Sequence, residues 1–421
     1  MKHPLPVLLS TLTILLLAAC AAPSPSPEEE VPPAPPAAED AAPPPAPEPE
    51  PTPLPPTEED LAAARIDALL ASMTLEEKVG QLFFAHCPEQ NALEDVTAFH
   101  LGGYLLFTRD FRDADGGWLT EDAFKEKVQS YQAAAAIPLL IGVDEEGGSV
   151  ARASWNPNLF PDGRFHSPQW LRKNRGGEGE VFARDAREKS QALLALGINV
   201  NLAPVCDVST TPGSFMYDRT LGLPAPETAD YVTSVVSAMA ECGMGSALKH
   251  FPGYGDNPDT HTGVARDSRP LETFLERDFL PFRAGIAVGD GTVAVLVSHN
   301  IVECMDPELP ASLSPEVHRV LREDLGFGGV VMTDDLAMEA VSRYAAGGDA
   351  AVLSLQAGND LVVTSDYRTQ IPRTIQAVKD GTLEEERIDE ACLRVLRWKV
   401  ELGLLELTED GGLEPAGALR G

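Results

Sequence analysis

Eight short runs of continuously apolar sequence recur along this chain between longer helical patterns, and they constrain its fold more than any other feature. They are Gly80–Cys87, Gly102–Thr108, Pro138–Asp144, Ile198–Val205, Gly245–Phe251, Thr292–His299, Gly328–Asp335 and Asn359–Ser365. Continuous rather than alternating polarity is the pattern of parallel strands buried on both faces. Helical segments such as Glu227–Cys242, Leu271–Val288 and Tyr344–Ala357 separate them, and Ile388–Glu401 follows the last. Eight such units in roughly 350 residues predict an α/β chain of the TIM type, a (β/α)8 barrel in a single catalytic domain over 58–406. A doubly wound open sheet is the alternative that this alternation leaves open. Thr57, ahead of Glu58, Glu59 and Asp60, is placed to cap the first helix, and the tail 407–421 reads as frayed from Asp410 onward.

Polar residues gather at one end of these runs. Asp144, Asp207, Lys249–His250, His299, Asp334–Asp335 and Ser365–Asp366 lie at or just past the C-terminal ends of the predicted strands. In a barrel those ends converge on one face, where such enzymes keep their active sites. Beyond the fifth run, the loop Lys249–His261 carries Asp259 and His261 two residues apart. A carboxylate at that spacing can fix the imidazole tautomer and raise its basicity, which suits a group that donates and recovers a proton near neutral pH. Strand alternation points Asp334 and Asp335 opposite ways at the mouth of the seventh run, so one carboxylate can face the barrel axis as nucleophile or electrostatic stabiliser. Capping of the next helix is the plainer role for either. Asp144, before Gly147–Gly148, can accept hydrogen bonds from the hydroxyls of a ligand, while Arg219 and Lys249 fit ligand contact and simple ion pairing equally.

The formal net charge of −33 argues against nucleic-acid binding and against adhesion to anionic lipid. Part of it is local, since Ala21 to Asp60 holds ten acidic residues, sixteen prolines and no Lys, Arg or His. Such a stretch cannot bury a core and reads as an extended tether over 20–57. Before it, Lys2 and His3 lead into the apolar run Val7–Ala19, which ends in LLAAC at Cys20. That run is too short for a membrane span and reads as a signal peptide, residues 1–19. Small residues before a cysteine resemble a bacterial lipobox, which implies cleavage before Cys20, lipidation of its thiol and an extracytoplasmic, membrane-anchored location. The other cysteines, Cys87, Cys206, Cys242, Cys304 and Cys392, are scattered without CxxC spacing and suggest neither metal nor disulfide framework. No cofactor is expected.

MTLEEKVGQLF (73–83), GGYLLFTRDF (102–111), VDEEGGSVAR (143–152), NVNLAPVCDV (199–208), KHFPGYGDNPDTH (249–261) and GFGGVVMTDDLAMEA (326–340) together resemble glycoside hydrolase family 3, over roughly residues 62–405. The likeness is to its single-domain β-N-acetylglucosaminidases. It implies a retaining mechanism in which Asp334 attacks the anomeric carbon and His261, oriented by Asp259, is the acid/base. This differs from the usual pair of carboxylates. It also implies that Asp144, Arg219, Lys249, His250 and Asp207 surround the sugar in the −1 subsite, and that His299 lines its wall. The partner implied is a glycan containing N-acetylglucosamine, peptidoglycan fragments among them, met by a monomer with no metal. Tyr254 stands where the family usually has His, and Ser149 where it commonly has Arg. A β-glucosidase or β-xylosidase of the same family, and a glycan-binding surface lipoprotein without activity, are the competing readings.

Overall fold

The computed structural model describes residues 57–163, 165–174, 180–257, 263–345, 349–408 and 412–416. Each of the eight predicted runs contains a strand: β1 Phe83–His86, β2 Gly103–Leu106, β3 Leu140–Val143, β4 Val200–Asn201, β5 Gly245–Phe251, β6 Val293–Val297, β7 Val330–Thr333 and β8 Val362–Thr364. They form one parallel sheet in the order β8-β1-β2-β3-β4-β5-β6-β7. The ends meet, because Met332 bridges Leu361 in parallel and the Asp360 N–H donates to the Val331 carbonyl at 2.7 Å. The sheet is therefore a closed TIM-type barrel, and the open-sheet alternative falls.

Every residue of the eight strands is buried, which is why the sequence runs are mainly apolar rather than alternating. Inside the barrel, the ring of Phe84 lies across β2 and β3, where a Cβ on Gly142 would come within 2.2 Å of it and one on Gly103 within 2.9 Å. One large side chain fills space that two neighbouring strands vacate. β4 is shorter than its sequence run because Pro204 cannot donate to a ladder. Beyond it the chain still follows β5, with the Cys206 N–H donating to the Lys249 carbonyl at 2.6 Å.

Helices cover the outside. The first, Glu58–Ser72, starts at Thr57, whose hydroxyl accepts from the Asp60 N–H while the Asp60 carboxylate accepts from the Thr57 N–H, a reciprocal cap. Ala225–Glu241 and Glu385–Glu401 fall where expected. Between Leu271 and Val288 the helix widens into a π segment at Phe274–Asp278. Of the predicted Tyr344–Ala357 helix, the described helical part is Ala350–Ala357, with Asp349 at its N-cap. At the N-terminal face of the barrel, fully buried Asp360 pairs with Arg322, Arg387 and Arg394, tying two outer helices to the closure point. The tail is not wholly frayed. Leu413–Pro415 pairs antiparallel with Leu405–Leu407, covering Leu405 and Ala416. Among the described residues no helix is long and apolar enough to cross a membrane.

Candidate active site

At the C-terminal ends of the strands a cavity of about 180 Å³ opens, lined by Asp144, Arg219, Lys249, His250 and Asp334 among others. These side chains arrive on three different strand ends and, for Arg219, on the loop after β4. Asp144 follows β3, Lys249 and His250 end β5, and Asp334 follows β7, its N–H still donating to the Val297 carbonyl of β6 at 2.9 Å. Lys249 and His250 both reach the cavity because the register of β5 against β6 shifts between Lys249 and Phe251.

A continuous charge network forms one wall. Lys249 Nζ donates to Asp144 Oδ1 at 2.6 Å and stands 2.7 Å from Glu146 Oε1. Glu146 also accepts two hydrogen bonds from Arg219, at 3.1 and 2.7 Å. Arg219 Nη2 lies 3.2 Å from His250 Nε2, and His250 Nδ1 donates to Asp207 Oδ2 at 2.7 Å. The imidazole therefore carries its proton on Nδ1 and accepts from Arg219 on Nε2. Burial would lift the Glu146 carboxyl, but Arg219 and Lys249 outweigh it and hold the group well below the usual carboxylate range. Burial likewise works against the Lys249 ammonium, yet Asp144 and Glu146 keep it above its ordinary value. Lys249, Arg219 and Glu146 thus stay ionised in a largely buried wall, and the Lys249 hydrogen bond sets the position of Asp144 at the cavity.

Two predicted contacts sit behind the wall. Asp207 is 1% exposed and accepts from the His250 imidazole and from the Tyr254 N–H, at 2.7 and 2.6 Å, so it orients His250 instead of touching a ligand. His299, expected on the wall, is fully buried: its Nδ1 accepts from Ser312 and its Nε2 donates to the Asp335 carbonyl at 2.9 Å. It holds the backbone beside Asp334. Asp335 does not point away as strand alternation suggested, because β7 ends at Thr333 and both carboxylates line the cavity. Asp259, His261 and Cys20 lie outside the described residues.

The family model for the glycosyl hydrolase family 3 N-terminal domain matches residues 74–398. The chain belongs to glycosyl hydrolase family 3. It is a glycoside hydrolase, similar to the beta-hexosaminidase of Xanthomonas campestris pv. campestris, with 32% identity over 286 residues covering 67% of this chain and 82% of that one. It is also similar to the beta-hexosaminidase LpqI of Mycobacterium tuberculosis, 31% identical over 350 residues covering 80% of this chain and 84% of that one. The solved structure of LpqI superposes with a TM-score of 0.70 over 80% of this chain and 96% of that chain. A family 3 beta-N-acetylglucosaminidase structure from Paenibacillus is 31% identical, with a TM-score of 0.70 over 79% of this chain and 63% of that chain.

Three residues of this family 3 site, Glu146, Arg152 and His86, were not singled out from sequence. Glu146 was hidden among three consecutive acids, and only the turn at Gly147 shows which of them meets Arg219 and Lys249. Its neighbour Glu145 faces the other way and holds the backbone N–H groups of Arg152 and Ala153. Arg152 lines the cavity with its Nη2 3.8 Å from Asp144 Oδ2. His86 closes β1, 3.4 Å from Asp335 Oδ2; burial, helped by Arg109, pushes its imidazole down to about 4. Tyr254 sets its ring edge-on to His250 at 5.4 Å, in the position the family usually gives to His. Ser149 is exposed. Among the described residues no cluster of three or more His, Cys, Asp or Glu side chains could hold a metal ion.

Proposed function

We propose that this family 3 enzyme is a retaining exo-β-N-acetylglucosaminidase that removes the non-reducing terminal N-acetylglucosamine from peptidoglycan fragments or related glycans. The observation that carries the reading is that Asp334 lines one cavity of about 180 Å³ together with Asp144, Lys249, Arg219 and His250, which Glu146 ties into a single charge network. That volume is small against the roughly 300–1,000 Å³ of pockets for drug-sized ligands and suits one sugar ring. The names of the relatives support the choice of an N-acetylated sugar.

In this mechanism the Asp334 carboxylate attacks the anomeric carbon as the bond to the leaving oxygen breaks, and His261, oriented by Asp259, gives that oxygen its proton. His261 then takes a proton from the water that cleaves the glycosyl–aspartate bond. The wall opposite Asp334 binds the sugar hydroxyls through Asp144, Arg219, Lys249 and His250. Cys20 carries a lipid that anchors the enzyme outside the cytoplasmic membrane.

Hydrolysis of p-nitrophenyl β-N-acetylglucosaminide beside the β-glucoside, by wild type and Asp334→Asn, tests the activity. Release from the first substrate that the substitution abolishes is the expected result. Release from the glucoside alone would replace the sugar assignment, and silence on both would leave a binding protein. Incorporation of labelled fatty acid in the native host, lost in Cys20→Ser, tests the anchor.

A further inference from the structure

Among the described residues the exposed aromatic side chains are Trp155 and Trp170, at 57% and 39%. Both belong to the excursion between β3 and β4, the same segment that places Asp144 and Arg152 on the cavity wall. Trp170 has a built support. The His166 ring stacks on it with centroids 3.6 Å apart and planes at 18°. Behind His166, Asp185 is 7% exposed and accepts from His166 Nδ1 at 2.6 Å, with Lys189 3.6 Å from its other oxygen.

The support is fixed to the site on both sides. On one, the His166 carbonyl rests on Gly147, where a Cβ would come within 2.1 Å; the Gly147 N–H donates to the carbonyl of Val150, which lines the cavity. Only glycine permits that approach. On the other, Gln169 donates to the Tyr217 carbonyl at 3.0 Å, and Arg172 donates to the Tyr217 hydroxyl and the Gly222 carbonyl, in the loop that bears Arg219. The indole is thus held in one orientation on a segment anchored both to the Gly147–Val150 turn and to the loop that bears Arg219.

A single exposed Trp is ordinary. One locked by a stacked imidazole and a buried carboxylate is a preorganised contact surface. Its rim is polar, formed by His166 and by exposed Lys173 and Asn174. A flat apolar face bordered by polar groups matches a pyranose ring, which has an apolar face and a hydroxyl edge, whereas a protein partner needs a broader patch. We propose that Trp170, stacked on His166, is a platform for a sugar residue on the leaving-group side of the cleaved bond, so that the enzyme favours oligosaccharides over glycosides of a single sugar. This rests on the reading that the cavity itself takes the terminal N-acetylglucosamine.

The test uses the full chain as wild type, Trp170→Ala, Trp170→Phe and Trp155→Ala, on p-nitrophenyl β-N-acetylglucosaminide and on the β-1,4-linked N-acetylglucosamine tetramer. In Trp170→Ala the ratio of kcat/KM for the tetramer to that for the aryl glycoside falls about tenfold, equivalent to about 1.4 kcal/mol, through KM for the tetramer. Trp170→Phe recovers most of the ratio and Trp155→Ala keeps it. An unmoved ratio in Trp170→Ala, a drop in Trp155→Ala instead, or equal loss on both substrates overturns the platform. Failure of wild type on the aryl glycoside would sink the activity reading alone. Quenching of indole fluorescence by the tetramer, present in wild type and absent in Trp170→Ala, would then still decide the platform.

Discussion

Lys249 Nζ stands 2.7 Å from Glu146 Oε1, and both side chains are only 2% exposed. An ion pair this dry is tolerable because Asp144 and Arg219 extend it into a balanced set of four charges. Removing one member leaves the others buried and uncompensated. Glu146→Ala is expected to lose about 3–5 kcal/mol of stability, measured by urea unfolding at neutral pH. A change of less than about 1 kcal/mol would mean that water or a shift of Arg219 replaces the carboxylate. Because the folded Glu146 holds its proton more weakly than the unfolded chain does, its contribution is complete above the ordinary carboxylate range. It drains away as pH falls below that range.

His86 titrates in the opposite sense to a paired histidine. Its imidazole is pushed from the ordinary 6.5 down to about 4, so between those values the unfolded state binds the extra proton. Stability therefore falls as pH drops from 6.5 toward 4, by on the order of 3 kcal/mol from this group. His86→Gln should flatten that segment of the pH–stability curve, read by thermal unfolding in a buffer series. An unchanged slope would show that His86 charges in the folded protein.

Lys399 is buried at the far end of the barrel, where its Nζ donates to Gln81 Oε1 at 2.6 Å. Burial pushes its ammonium from 10.5 down to about 7, with Cys392 opposing weakly. The unfolded chain keeps that proton across the interval, so stability climbs as pH rises from about 7 toward 10. Lys399→Met should remove the climb and raise stability at pH 6, as measured by guanidinium midpoints at each pH. A mutant that tracks wild type at every pH would refute the assignment.

Gly142 has no room for a methyl group, since its Cβ would sit 2.2 Å from the Phe84 ring. Gly142→Ala should cost roughly 1–3 kcal/mol by overpacking, and adding Phe84→Leu should recover part of it. Additive losses in the double variant, scored by urea midpoints, would show that the two positions are uncoupled.

The barrel was legible because its signal is local. Parallel strands covered on both faces are mainly apolar rather than alternating, so Phe83–Ala85 and Val293–Val297 show as unbroken runs in the sequence. The polar ends of those runs located the face of the site, and Asp144, Arg219, Lys249, His250 and Asp334 do come together there. What the runs could not convey is which way a side chain turns once the strand has ended. Alternation failed at Asp335, one residue into the loop, and Glu146 was indistinguishable from Glu145 until the turn at Gly147 sent one to Arg219 and the other to the backbone of Arg152. His86 read as the last residue of an apolar strand because its partners arrive from residues 109 and 335.

The chain by itself determined the eight-fold repeat, the acidic proline-rich leader and the strand ends where charge collects, since each depends on residues close together in sequence. Tertiary structure decided which of those charges meet, which stand behind the wall as Asp207 and His299 do, and which aromatic rings are left facing solvent. Those outcomes depend on distances between segments more than 30 residues apart, such as Lys249 to Asp144 and Arg219 to Glu146, and such distances exist only once the barrel has closed.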